Sequence, residues 1–194
     1  MAEDILLSLG DLQTIFRTIT AQILGIDSDN TLNNSRIRQT YPREGAPTWK
    51  ITEDVCFLRI GYENDAYTKQ REIQYTRKST LIANQAIQMT NVNRVTWTCY
   101  GPNSYSDALK IFAKIFDPTL WLLPQNNLYL ITDVDSPVRT PEQFMGQWWE
   151  RVDFYARFNE LVVVNSDVPY LLSTKIDVID EKGDDTGVNI RYSV

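Results

Sequence analysis

Residues 93–116 read NRVTWTCYGPNSYSDALKIFAKIF, and this stretch decides the fold. Its first residues alternate. Val95, Trp97 and Cys99 fall on one side, and Arg94, Thr96, Thr98 and Tyr100 on the other, the period-two pattern of a strand. Gly101-Pro102-Asn103 breaks the strand sharply, since glycine and proline punctuate regular structure. Asn103 or Ser104 then stands at a helix N-cap and Asp107 in the first turn, where an acceptor side chain and a negative charge meet unpaired N–H groups. Tyr105, Ala108, Leu109, Phe112, Ile115 and Phe116 recur at helical spacing as an apolar stripe, and Asp117-Pro118 stops the helix.

Upstream, Ser8-Leu9-Gly10-Asp11 has the spacing of a capping box. Leu12, Ile15, Phe16, Ile19 and Ile23 form the buried face of the helix it opens, and Gly25 is placed to end it. Residues 26–50, with Asp27-Ser28-Asp29-Asn30, Asn33-Asn34, Pro42, Gly45 and Pro47, read as a loop with little regular structure. A loop of this length is usually functional or is ordered by a neighbouring chain. Asp54–Tyr62 reads as a central strand, because Cys56, Leu58 and Ile60 on one face and Val55 and Phe57 on the other are all apolar. Residues 69–79, KQREIQYTRKS, are too polar for a core strand. Arg71, Ile73, Tyr75 and Arg77 share one side, which suits an exposed β-arm or a polar helix continuing through 80–90.

Downstream, 127–133 is a short strand. The longest strand pattern starts at Gln147, with Trp148, Val152, Phe154, Ala156 and Phe158 on the core face and Trp149, Arg151, Asp153, Tyr155, Arg157 and Asn159 on the other. Segments 170–180 and 187–194 form a hairpin joined by 181–187. The sum is an α+β fold: a mostly antiparallel sheet packed by two main helices, with an extended β-hairpin or arm. The expected organisation is a single domain over 1–194, with a core at about 8–164 and a C-terminal hairpin extension at 165–194. Unpaired strand edges in the arm and hairpin are candidates for pairing with another subunit.

Composition narrows the function. The chain has no histidine, which removes Ser-His-Asp and Cys-His nucleophilic chemistry, histidine acid–base catalysis and most catalytic zinc sites. Gly61, Gly101 and Gly146 are isolated, so no phosphate-binding glycine loop exists. The acids Asp133, Asp135, Asp180-Glu181 and Asp184-Asp185 lack EF-hand spacing and read as a solvated loop face. Glu142 and Glu150 have no second feature to make them a hydrolase pair. Cys56 and Cys99 lie in apolar strands and read as buried, reduced thiols. A net charge of −6 argues against a broad basic nucleic-acid face, and no apolar run is long enough to span a bilayer. The acidic N-terminus lacks signal-peptide features. No catalytic residue, cofactor or metal site is expected. Trp149 and Tyr155, on the solvent face of a central strand, are either covered by a helix, part of a subunit contact, or a sugar-binding surface.

The run Val95-Thr96-Trp97-Thr98-Cys99-Tyr100-Gly101-Pro102-Asn103-Ser104-Tyr105, followed by Gln147-Trp148-Trp149-Glu150-Arg151, Asn159 and Val162-Val163-Val164, resembles the tail or neck terminator proteins of long-tailed bacteriophages. The resemblance covers about two thirds of the chain. It assigns Trp97, Tyr100, Gly101, Pro102, Asn103, Trp148, Arg151 and Asn159 a structural role. It implies a virion protein, assembled in the host cytoplasm, that forms a homo-oligomeric ring, a hexamer. The ring would sit on the last tail-tube ring, stop tube growth and face the head connector or stopper protein, with DNA passing through its lumen unread and no membrane involved. Arg71, Tyr75, Arg77, Trp149 and Tyr155 are the candidate subunit contacts. Another head–tail joining ring (a stopper or tail-completion protein) and, in a different class, a carbohydrate-binding module are the alternatives.

Overall fold

The structure is a computed structural model that describes residues 3–26, 36–41, 49–131 and 134–169, and the backbone of 173–179 and 185–193. In chain order the elements are α1 (Leu9–Leu24), β1 (Ile37–Gln39), β2 (Val55–Tyr62), a 3₁₀ turn (Tyr67–Lys69), β3 (Glu72–Arg77) and β4 (Ile82–Tyr100). They continue with α2 (Ser104–Lys114), the one-turn α3 (Leu122–Gln125), β5 (Leu128–Leu130), β6 (Val138–Arg139), β7 (Glu142–Phe144), β8 (Gln147–Trp149), β9 (Arg151–Pro169), β10 (Ser173–Ile179) and β11 (Asp185–Ser193). The main sheet runs β1-β2-β4-β9-β5, with β3 paired to β4 and β6 to β9. The fold is α+β, as the sequence predicts.

The chain divides into two compact units. The larger comprises residues 6–70 and 89–162, and the smaller residues 1–5, 71–88 and 163–194. In the larger unit α1 forms where its cap and apolar spacing place it. Ser8 Oγ accepts the Asp11 N–H at 3.2 Å, and the Asp11 carboxylate accepts the Ser8 N–H at 2.9 Å. Gly25 ends the helix at φ 69°, a left-handed conformation open to glycine. Leu12, Phe16 and Ile19 bury against the sheet face built from Cys56, Leu58, Val95, Trp97, Val152, Phe154 and Phe158. Trp97 is fully buried, lies parallel to Phe154 at 5.0 Å, and donates its indole N–H to Thr20 Oγ1 of α1 at 3.0 Å. That bond satisfies the one polar atom the ring carries into the core. Cys56 and Cys99 are register partners on β2 and β4, buried as free thiols with sulfurs 3.6 Å apart. Contact with Cys56 and then burial push the Cys99 thiol well up, which keeps it protonated.

Three expectations need correction, and of the two alternatives for 69–90 the exposed β-arm holds. Within 26–50 the chain makes β1, parallel to β2, because Ile37 is apolar enough to close the sheet edge over α1; residues 27–35 and 42–48 lie outside the described residues. The 69–90 stretch is not a helix, because β3 and β4 pair in register from Glu72↔Gln88 to Arg77↔Ala83. Of the predicted α2 stripe only Ala108 and Ile115 are buried, with Phe112 partly so, while Tyr105, Leu109 and Phe116 are exposed; Ile111, which the stripe left out, is fully buried. An 11-residue helix meets the core along one narrow row, and the neighbouring row is left outside. The strand expected from Gln147 is two elements, since β8 ends at Trp149 and β9 starts at Arg151. Trp148 is therefore 65% exposed rather than in the core.

In the smaller unit, β3 is exposed along its whole length and carries no second strand partner among the described residues. Ile5 bridges Val163, and Asn165 is held by Asp4, Glu3 and Asn84. β10 and β11 form the expected antiparallel hairpin, with a register shift between Asp177 and Ile179. Their connection at 180–184 lies outside the described residues.

Candidate assembly surfaces

The strand-to-helix turn at 101–103 is held by the residues that precede β2. Gly101 has φ 105°, and a Cβ there would stand 2.5 Å from the Glu53 carbonyl oxygen and 2.6 Å from Asp54 Oδ1. Only glycine permits that approach. Asp54 in turn accepts the Asn103 N–H at 2.8 Å and its Nδ2 at 2.9 Å. Asn103 thus occupies the N-cap position without capping through its own side chain. Arg36 reaches Asp107 in the first turn of α2 at 2.8 Å. Burial raises the Asp107 carboxyl, and the Arg36 guanidinium pulls the other way.

Tyr100, the last residue of β4, packs edge-on to Phe57 at 5.9 Å and tilted to Trp49 at 5.5 Å. Its hydroxyl donates to Glu142 at 2.8 Å. Burial, with that hydrogen bond second, pushes the phenol up to about 12. Arg151 spans Glu142 at 2.9 Å and Asp153 at 2.9 Å. Burial alone would lower its guanidinium, but the bonds to Asp153 and Glu142 more than offset this, and it stays charged. Glu150 pairs with Arg139. Both carboxylates of the imagined hydrolase pair are thus committed to local ion pairs.

Most of the motif residues therefore have identifiable jobs. Trp97 joins sheet to helix, Tyr100 and Arg151 lock the β7–β8 ribbon to the sheet through Glu142, and Gly101 and Asn103 shape the turn around Pro102. Asn159 pairs opposite Tyr129 of β5, with a buried Oδ1 that has no partner among the described residues. Trp148 has no core role.

The expected contact residues fall into two groups. In the smaller unit, Arg71 precedes β3, Tyr75 and Arg77 lie on it, and all three are exposed; the Tyr75 hydroxyl accepts from Gln85 at 3.1 Å. In the larger unit, Trp149 is half-buried against Trp49 at 5.8 Å and Phe144 at 6.2 Å. Tyr155 lies beneath the Arg94 guanidinium at 4.3 Å. A hydrogen bond with Asp135 raises its phenol, and Arg94 also pairs with Glu63. Arg94 occupies one ring face of Tyr155, so that face is not open for a sugar to stack on.

Two further apolar surfaces were not singled out in the sequence. One is the exposed row of Tyr105 and Leu109 on α2 with Phe116 just beyond its end. The other is the β7–β8 ribbon with its turn, where Phe144 is 56% and Met145 88% exposed. Beside that ribbon lies a cleft of about 310 Å³ lined by Trp49, Glu142, Phe144 and Trp149. The segment EQFMGQWW (142–149) carried the signal, since a glycine-containing two-residue break between short runs marks a hairpin.

An α+β scaffold whose polar groups brace a turn and a ribbon, and whose unspent features are apolar surfaces and strand edges, defines a structural assembly subunit. The chain belongs to the phage neck terminator protein family, whose model matches residues 10–188. The family is structural, which puts the protein in the tail and neck of a virion. No curated protein matches the chain. Among the described residues, no helix is long and apolar enough to cross a membrane, and no cluster of three or more metal-ligating acids or cysteines occurs.

Proposed function

We propose that the protein assembles as a ring, of six copies by family resemblance, on the head-proximal end of the tail tube. There it stops tube polymerisation and joins the tail to the head connector. It works by shape, with no catalytic residue and no cofactor. The observation that carries this reading is the family match over 10–188. The open edge of β3 and the apolar surfaces of the larger unit support it, since a ring requires closing contacts between unlike faces of one subunit, and strand addition is one way to make them. A net charge of −6 suits a lumen through which DNA slides rather than binds. Assembly takes place in the host cytoplasm.

Purified tail-tube protein provides the test. Added to growing tubes, this chain should bind one tube end and halt elongation. Tubes that elongate at the same rate with and without it would count against termination. Binding to the connector but not to the tube would instead assign it to the stopper or tail-completion role.

A further inference from the structure

We infer that the β7–β8 ribbon is a two-sided subunit joint: Met145 and Trp148 of one copy seat in the Trp49–Phe144–Trp149 cleft of the next copy. This deepens the ring reading and rests on it.

The ribbon's register decides which side chains share a face. Glu142 pairs with Trp149, Gln143 with Trp148, and Phe144 with Gln147. Residues directly opposite each other point the same way, and neighbours along a strand point oppositely. Glu142, Phe144 and Trp149 therefore face the cleft they line, and Trp148 faces away from it. The turn is a tight two-residue one, with φ 48° at Met145 and 76° at Gly146. Positive φ at both central residues favours asparagine, aspartate or glycine at the first of them. Methionine there is strained by about 1 kcal/mol or more, yet it is almost wholly exposed. An adaptable apolar side chain held out on a strained turn gains nothing from the isolated fold, and it suits an apolar recess.

The cleft has the matching chemistry. Its described lining is three aromatic side chains and Glu142, whose carboxylate is already engaged by Tyr100 and Arg151. Among the described residues it therefore presents no convergent free polar groups to orient a small ligand, while it offers room for a large apolar side chain. The buried indole N–H groups of Trp49 and Trp149 have no acceptor among the described residues. Trp148 and the cleft lie on opposite faces of one ribbon, and Met145 stands at its tip. A copy that inserts Met145 and Trp148 leaves its own cleft open to another copy, the head-to-tail arrangement that closes into rings. A tryptophan and a methionine buried at the centre of such a contact belong to the side-chain types that dominate interface energies.

The test compares Met145→Asp/Trp148→Ser with Leu109→Asp/Phe116→Asp on α2, both in the full chain. Native mass spectrometry and light scattering give the oligomer, and circular dichroism confirms the fold. The ribbon variant should remain folded and weaken self-association roughly 30-fold or more. Mixed in below equimolar amounts, it should also stall wild-type rings, because it accepts a neighbour but cannot donate. The α2 variant should assemble normally. Wild-type-like assembly of the ribbon variant overturns the joint while leaving the ring reading intact. Normal rings from the ribbon variant that no longer bind tubes assign the surface to the tail-tube protein instead, which also overturns the joint. A wild-type chain that stays monomeric both free and on tails overturns the ring reading and the joint together.

Discussion

Gly101 shows how a single position can set a turn without carrying chemistry. Its backbone presses against Glu53 and Asp54 while Asp54 holds Asn103, so the turn and the start of β2 are built as one piece. Gly101→Ala adds a Cβ at 2.5 Å from a carbonyl oxygen in a backbone conformation that resists side chains. We expect it to destabilise the protein by about 3 kcal/mol, read as a lower urea midpoint; a change under about 0.5 kcal/mol, the size of an ordinary surface substitution, contradicts this account of the turn. Tyr100 offers a pH test. Its folded phenol titrates at about 12 against an ordinary 10.0, so between those values the unfolded chain releases a proton that the folded chain keeps. Its contribution is intact below pH 10 and is lost as the pH rises towards 12. Tyr100→Phe should therefore lose less stability than wild type across pH 10–12 in parallel denaturant titrations. Equal losses would show that this phenol is not shifted. At this scale the sequence was readable where chemistry is local: the capping box of Ser8 and Asp11, Gly25, and the break at Gly101 all follow from residue type. The partner of Asn103 was not readable, because Asp54 lies 49 positions away.

At the scale of elements, period and polarity located most strands, and their ends and pairings less well. β4 was legible from Asn93 onward, where Val95, Trp97 and Cys99 alternate with polar residues. Its first half mixes polar and apolar residues on both faces and is mostly half-exposed, so it has no clear hydrophobic period to read and pairing with β3 marks it as strand. Trp148 was misplaced for a related reason. A short strand, β8, and a long one, β9, share an alternating pattern, and only the break at Glu150 separates an exposed ribbon from the core. The same difficulty hid the α2 ridge, since two adjacent apolar rows on a helix look like one stripe until the packing partner is known. Trp97→Ala should cost about 3–5 kcal/mol, because the indole is fully buried and bonds α1 through Thr20; thermal unfolding that stays at the wild-type temperature would show that α1 docks without it. The β10–β11 hairpin yields the opposite expectation. Deleting residues 181–187 should leave the monomer folded and weaken assembly, and an unchanged oligomer mass by light scattering argues against a role for that hairpin.

For the whole molecule, the residues that brace the fold and the exposed surfaces are separate. Trp97, Tyr100, Gly101, Asn103 and Arg151 build the scaffold, and in the assembly we propose the exposed strand β3, the α2 row and the β7–β8 ribbon are the surfaces open to partners. The absence of histidine and of a phosphate loop was visible in composition and turned the reading away from catalysis. The surfaces were not visible, because exposure of Phe144, Met145 and Trp148 depends on where the ribbon is anchored, through Glu142 to Tyr100 and Arg151. The central claim is that this protein ends tail growth, and the length distribution of tails made in its absence tests it most directly. Electron microscopy of lysates from a phage in which this gene carries a stop codon should show abnormally long tails without attached heads. Tails of normal, uniform length would contradict the account.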